Sequence, residues 1–353
     1  MTKTLANNPF SLSEITSAWL TDLLQERGHL NKNRVKNFHL EPNVKWNRAE
    51  TAKISLQFED AEETLPNRYF LKMAQPDLEF EDVVPGEFAF YNRYARQDMP
   101  IAKCYGLRRD EEANFDYFLL EDLSESHQQT PWPLPPSLPS CSAAVEALAK
   151  VHSCWWVGSE RELQELRPSL AKAQKSLMSH VENFAPRFFD CLDDRLAPER
   201  KAILEATIKT FPLLMEKRTR SGVPLSLTHG DAHLWNLMFP IEGCERTCVF
   251  VDWEDWSFDV PAFDLAYMIA LHWFPDRRKA HEQNLLEHYL NRLNCQGYCS
   301  NDLENDYTLG CLRNLLIVII QQQIGVSPDV WWHHMERAFL AFEALGCRRL
   351  LEV

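Results

Sequence analysis

The sequence predicts an α+β chain of two lobes, a small antiparallel sheet with a helix and then a larger, mostly helical part. Two observations predict it. Between residues 54 and 74, two runs of alternating apolar and polar side chains flank an acidic turn, the pattern of a strand–turn–strand hairpin. Past a proline-rich stretch, PWPLPPSLPS (131–140), the apolar spacing becomes that of helices.

The elements follow in order. Residues 11–28 read as an amphipathic helix, with Ser11 or Ser13 as N-cap, Ile15, Leu20, Leu23 and Leu24 as its apolar face and Gly28 as its stop. Ile54, Leu56 and Phe58 alternate with Ser55, Gln57 and Glu59 in a half-buried strand. The turn DAEETLPN leads into RYFLKMA (68–74), where Tyr69, Leu71 and Met73 share one face and Phe70 and Lys72 the other. A helix is expected after Pro85-Gly86, with Phe88, Tyr91 and Ala95 on its apolar side. A further strand, Phe115 to Leu120, ends at Glu121-Asp122. The lobe boundary falls there, giving lobes 1–122 and 123–353. Proline cannot enter a helix interior or a central strand, so PWPLPPSLPS reads as an extended connection. The helical lobe begins with SAAVEALAKVHSCWWV. Its exceptions are Leu237–Phe239 and Val249–Val251, a hairpin around IEGCER too short to form a sheet alone. The chain has no internal repeat.

Composition narrows the function classes. With 45% hydrophobic and 25% charged residues, the 353-residue chain is globular rather than disordered. Its 37 basic and 51 acidic residues give a net charge of -14, which argues against nucleic-acid or anionic-membrane binding. The most apolar run, Leu315 to Ile320, is too short to span a bilayer, and MTKTLANNPFSLSE lacks the apolar core of an export signal. Ten scattered cysteines then read as reduced thiols in a cytoplasm. Cys244/Cys248 and Cys295/Cys299 repeat a C-x3-C spacing, which inert buried thiols explain more simply than zinc. Oligomeric state has no readable signal.

Chemistry concentrates in LTHGDAHLWNLMF (227–239). Asp231 is followed five positions later by Asn236, and Asp252 comes just after the next apolar run. This set suits phosphoryl transfer. One carboxylate takes the proton of an attacking hydroxyl, while an amide oxygen and a second carboxylate supply the hard ligands that Mg²⁺ prefers beside nucleotide phosphates. Taken singly, Asp and Asn are common turn and capping residues, so the weight lies in the combination.

These segments resemble the aminoglycoside phosphotransferase / choline kinase-like family, a branch of the protein-kinase-like bilobal fold, and within it bacterial phosphotransferase-family and ecdysteroid kinase-like proteins. The matching residues are His229-Gly230-Asp231 with Asn236, Asp252-Trp253-Glu254, and Asp259-x4-Asp264-Leu265-Ala266. Phe70-Leu71-Lys72, Leu119 to Leu123 and Leu148-Ala149-x-Val151-His152 extend the match over most of the chain. The resemblance implies that Asp231 is the catalytic base and that Asn236 and Asp252 are Mg²⁺ ligands. It also implies that Lys72 contacts the α- and β-phosphates of ATP, held by Glu87, with Glu79 and Glu81 as competitors. The backbone from Glu121 to Leu123 would grip the adenine. His229 would support the loop, Asp264 would bond its backbone, and His152 would be a core residue. One departure is that VKWNRAETAKI, where a glycine-rich phosphate loop is usual, contains no glycine; polar residues from Asn47 to Lys53 would serve instead.

The expected activity is ATP-dependent transfer of the γ-phosphate to a hydroxyl of a small molecule. Eleven tryptophans, among them Trp155, Trp156, Trp235, Trp253, Trp256, Trp331 and Trp332, together with Glu254 and Asp255, suit a cationic acceptor by cation–π contact, or an apolar one. Core packing is the simpler role for each indole. Two other classes compete. His229 and His233, at i and i+4 with Asp231 between, would form a zinc hydrolase site if the segment were helical. A catalytically silent binding protein on the same fold is the other.

Overall fold

The computed structural model describes residues 8–43, 49–60, 65–75, 86–131 and 133–352. Contacts divide the chain into two compact units. The first contains the N-terminal strands, Pro85–Gln128 and, after a long excursion, Met238–Asp252. The second contains Gln129–Leu237 and Trp253–Val353.

The first unit is built on α1 (Ser17–Glu26), β1 (Val35–Pro42), β2 (Ala49–Phe58), β3 (Arg68–Ala74), α2 (Gly86–Arg93), β4 (Cys104–Asp110), β5 (Phe115–Glu121) and β6 (His127–Gln128). Five strands form an antiparallel sheet in the order β1-β2-β3-β5-β4. Tyr69, Leu71 and Met73 are fully buried on one face, as their alternation requires, and pack with Trp19, Leu20, Leu23 and Leu24 of α1. Lys72 therefore lies on the opposite face, paired in register with Thr51 and Phe118.

Three expectations here need correction. The first helix starts later than residue 11, because the Ser11 and Ser13 hydroxyls bond each other at 2.8 Å over a 3₁₀ turn (Leu12–Glu14). Thr16 is the cap, accepting the Trp19 N–H at 3.2 Å. The second helix stops at Arg93, and its buried face is Glu87, Phe90 and Tyr91, not Phe88 and Ala95. Strands β1 and β4 escaped the sequence reading, because an edge strand with one flank in solvent carries little apolar alternation. The glycine in β4 has a packing role: a Cβ on Gly106 would sit 2.6 Å from Leu23 Cγ, so glycine lets α1 approach the sheet. Asn47 and Arg48 of the proposed phosphate loop lie outside the described residues, as do Glu79 and Glu81.

The second part of the chain runs α3 (Leu138–Cys154), α4 (Glu160–Leu192), α5 (Pro198–Arg220), β7 (Ser226–Thr228), β8 (Leu237–Pro240), β9 (Val249–Phe250), β10 (Ser257–Asp259), α6 (Ala262–Leu265), α7 (Pro275–Leu293), α8 (Ser300–Gln323) and α9 (Pro328–Ala344). The short hairpin β8–β9 gains a third strand, β6, and belongs with the first unit. Strands β7 and β10 form a separate two-stranded sheet that was not anticipated. The proline-rich connection is shorter than expected. Ser137 caps α3, and Pro139 enters its first turn, where its missing N–H costs no helix bond.

Helix α8 is buried on most sides and forms the centre of the second unit. Gly310 lets it approach closely, since a Cβ there would lie 2.6 Å from the Ala266 Cβ. Ala266 opens a π-helical turn (Ala266–Leu271), whose first carbonyl accepts from Asn314 Nδ2 at 2.9 Å. No helix of the described residues is long and apolar enough to cross a membrane.

Candidate active site

In the first unit, Lys72 is anchored by two carboxylates. Its Nζ lies 2.7 Å from Glu87 Oε2 and 2.9 Å from Asp252 Oδ1. The Lys72 and Glu87 side chains are 11% and 4% exposed, whereas Asp252 is 47% exposed and remains reachable by a ligand. Burying a lysine against one buried carboxylate fixes the ammonium in place, because moving it would leave Glu87 charged in a poorly solvated setting. Asp252 has a left-handed backbone, φ 66°. That conformation is uncommon outside glycine, and Asp is among the residues that tolerate it best. It follows β9, which is held by the Phe250 N–H to Pro100 carbonyl bond at 2.8 Å.

The end of β5 presents backbone rather than side chain. The Glu121 N–H donates to the Lys103 carbonyl at 2.8 Å, and its carboxylate receives Arg246 in a two-pronged pair at 2.6 and 3.1 Å. The Leu123 carbonyl accepts from the Ser126 and His127 N–H groups, at 3.1 and 2.8 Å. The Leu123 N–H has no acceptor among the described residues, leaving a donor available to a planar heterocycle.

In the second unit, the loop after β7 is shaped by one buried carboxylate. Asp264 Oδ2 accepts the His229 N–H at 2.6 Å, and Oδ1 accepts the Gly230 N–H at 3.0 Å. Burial alone would raise the Asp264 pKa, but the hydrogen bond and charge of His152, together with His229, hold it below the ordinary value. His152 bridges Asp264 Oδ2 at 3.2 Å and the Tyr289 hydroxyl at 2.7 Å, and is fully buried. Gly230 has φ 85°, and a Cβ would fall 1.9 Å from the Asp255 carbonyl oxygen, so no other residue fits.

Asp231 follows directly. Asn236 Nδ2 donates to Asp231 Oδ2 at 2.8 Å and to the Asp231 carbonyl at 3.1 Å. His233 Nδ1 accepts the Asn236 N–H at 3.1 Å, so its proton sits on Nε2, 3.3 Å from Asp231 Oδ2. Burial first, and the Asp231 charge next, push the pKa of the nearby Tyr267 phenol well up. The Asp231 carboxylate is thus held by Asn236 and His233 yet stays 27% exposed.

The zinc alternative loses its premise. Residues 229–233 are not helical; the 3₁₀ turn begins only at Leu234, and His229 is fully buried against Trp253 with ring centroids 4.5 Å apart. Among the described residues, no group of metal-binding side chains includes His229, His233 or a cysteine. None of the ten cysteines is in a disulfide. An indole cage is also narrowed, since Trp253, Trp256 and Trp331 are buried in packing. Trp235 differs: its ring lies 5.7 Å from His233 and 5.7 Å from His272. Around it the sequence reading missed Tyr267, His272, His334 and Arg337. Only Tyr267 had a local cue, lying one helical turn past Asp264.

Comparison with known proteins gives the family and the fold. Residues 55–298, more than half the chain, match the family model described as "Phosphotransferase enzyme family". No curated protein matches by sequence. Among solved structures, an ethanolamine kinase of Plasmodium vivax is similar at a TM-score of 0.50 and 13% identity, covering 88% of this chain and 81% of that one. The choline kinase LicA of Streptococcus pneumoniae is similar at a TM-score of 0.50 and 15% identity, covering 88% and 94%. At such identities the likeness concerns the fold, which is α+β and protein-kinase-like. By the span of its family match, the chain belongs to the phosphotransferase enzyme family to which the aminoglycoside phosphotransferase resemblance pointed.

Proposed function

We propose that the protein is an ATP-dependent kinase that transfers the γ-phosphate to a hydroxyl of a small molecule, with residues 1–122 and 123–353 as its two lobes. The observation that carries this reading is the Lys72–Glu87–Asp252 cluster, a fixed ammonium beside a reachable carboxylate on a strained backbone. Such a pair suits nucleotide phosphates and the divalent cation that accompanies them. Lys72, steadied by Glu87, would hold the α- and β-phosphates, and the backbone of Glu121 and Leu123 the adenine. Asn236 and Asp252 would be the Mg²⁺ ligands, both hard oxygen donors. Mg²⁺ would supply neutralisation of phosphate charge.

Asp231 is the catalytic base in this reading. It takes the acceptor's hydroxyl proton as the oxygen bonds to the γ-phosphorus and the bond to ADP breaks. Asn236 and His233 orient that carboxylate. A cytoplasmic site of action suits cysteines that form no disulfide with one another.

The test is ATP consumption by the purified protein with Mg²⁺ across amino alcohols, aminoglycosides, sugars, hydroxy acids and hydroxylated lipids. Acceptor-dependent ADP release with a phosphorylated product is expected. No Mg·ATP binding and no turnover with any acceptor would leave the silent binding protein standing.

A further inference from the structure

The second unit holds a half-buried guanidinium with no counter-charge among the described residues. Arg337, on α9, donates Nε to the Leu271 carbonyl at 2.9 Å and lies over the Phe274 ring at 4.9 Å. Among the described residues no carboxylate pairs with it, and burial pulls its pKa from 12.5 to about 10. Three arginines of this unit show the usual balance: Arg200 meets Glu336 at 2.6 Å, Arg218 meets Asp306 at 2.6 Å, and Arg278 lies 3.5 Å from Glu282. A desolvated cation without an anion is unfavourable, so the position favours an anionic ligand.

A second observation lies one turn earlier on the same helix. His334 is 3% exposed, and its Nδ1 meets Gln321 Oε1 at 3.0 Å, which places the proton there. Its Nε2 is buried and has no hydrogen-bond partner among the described residues. A buried lone pair of this kind calls for a donor. The His334 ring is 4.6 Å from His272, and His272 is 5.7 Å from His233, which touches Asp231. The Leu271 carbonyl that anchors Arg337 directly precedes His272. The free cation and the orphan acceptor thus belong to the same aromatic cluster as the candidate base.

We propose that Arg337 and His334 form the recognition end for the phosphate acceptor, and that the acceptor is a small hydroxy acid. Its carboxylate pairs with the Arg337 fork, a neighbouring N–H or O–H donates to His334 Nε2, and a separate hydroxyl faces Asp231. This rests on the kinase reading above. The bonds made and broken are those already stated: the acceptor oxygen bonds to the γ-phosphorus, its proton goes to Asp231, and ADP leaves.

The test uses matched pairs that differ by a carboxylate: serine with ethanolamine, homoserine with 3-aminopropanol, glycerate with ethylene glycol. Phosphoryl transfer from Mg·ATP is measured for wild type and Arg337→Gln. At least one acid should react with a kcat/KM tenfold or more above its decarboxylated partner. Arg337→Gln should raise the KM for that acid at least tenfold while leaving Mg·ATP affinity unchanged. If Arg337→Gln does not fold, Arg337→Lys, which keeps the charge but loses the fork, should show the same rise. Equal or better transfer to the decarboxylated partners, an unmoved KM, or no reaction with any acid by a protein that binds Mg·ATP would each overturn the proposal. Absence of Mg·ATP binding would instead overturn the kinase reading, and this proposal with it.

Discussion

The two units hold their charged groups by opposite means. In the first, Lys72, Glu87 and Asp252 come from β3, α2 and the end of β9, and they are joined by charge-assisted contacts at 2.7 and 2.9 Å. In the second, Asp231 sits in a loop whose path is set by backbone bonds to buried Asp264 and by a glycine with no room for a Cβ. The difference matches the tasks proposed for them. A grip on a polyphosphate needs concentrated charge, and the binding of a cation is hardly affected by small changes in direction. Proton transfer needs a carboxylate at one angle and distance, which hydrogen bonds enforce better than Coulomb attraction.

Breaking the second unit's arrangement at its functional end gives the largest expected effect. Asp231→Ala should lower turnover by about 10²–10⁴-fold with Mg·ATP affinity retained, read by steady-state kinetics beside calorimetry. Equal turnover would remove Asp231 from the role of base.

Next is the charge cluster. Lys72→Met removes the cation 2.7 Å from buried Glu87, and should cost about 3 kcal/mol of folding stability. The double variant Lys72→Met/Glu87→Gln should recover most of that loss in urea unfolding. A double variant as unstable as the single one would show that the pair is not what matters.

Gly230→Ala probes the backbone-held loop. Its Cβ would meet the Asp255 carbonyl oxygen, so a loss of about 2 kcal/mol is expected along with a fall in kcat. Unchanged stability would mean that the loop yields easily and that hydrogen bonds do not fix its course.

The smallest effect concerns Asp259 of β10. Burial lifts its pKa from 3.8 to about 6, against the pull of Arg313. A carboxyl with a raised folded-state pKa stabilises the fold below its unfolded value, and that contribution is lost as pH rises through about 6. Asp259→Asn should therefore be more stable than wild type by about 1 kcal/mol at pH 8, and should lack this part of the decline between pH 4 and 6. Parallel stability curves for the two proteins would contradict the shift.

Legibility in the sequence follows the same division. Strand β3 was read to the residue because it is central: alternate side chains enter different environments, and the period of two survives. Edge strands β1 and β4 lacked that contrast. The first helix was placed too early because two serines suited to capping bond each other instead. At the candidate site, Lys72, Asp231, Asn236 and Asp252 were legible because each lies in a local motif with fixed spacing. Glu87 was one of three neighbouring glutamates, and only the fold shows the Lys72 contact at 2.7 Å. His272, His334 and Arg337 were not legible. They are brought together by the π-helical turn and α9, which are far apart in the chain, and a single histidine or arginine leaves no periodic trace.

The central claim is that Asp252 and Lys72 receive a magnesium nucleotide, and titration calorimetry with ATP tests it most directly. Wild type should bind ATP with an affinity that rises markedly when Mg²⁺ is added, and Asp252→Ala should lose that dependence while retaining its fold. An Asp252→Ala protein whose ATP affinity responds to Mg²⁺ as wild type does would contradict the account.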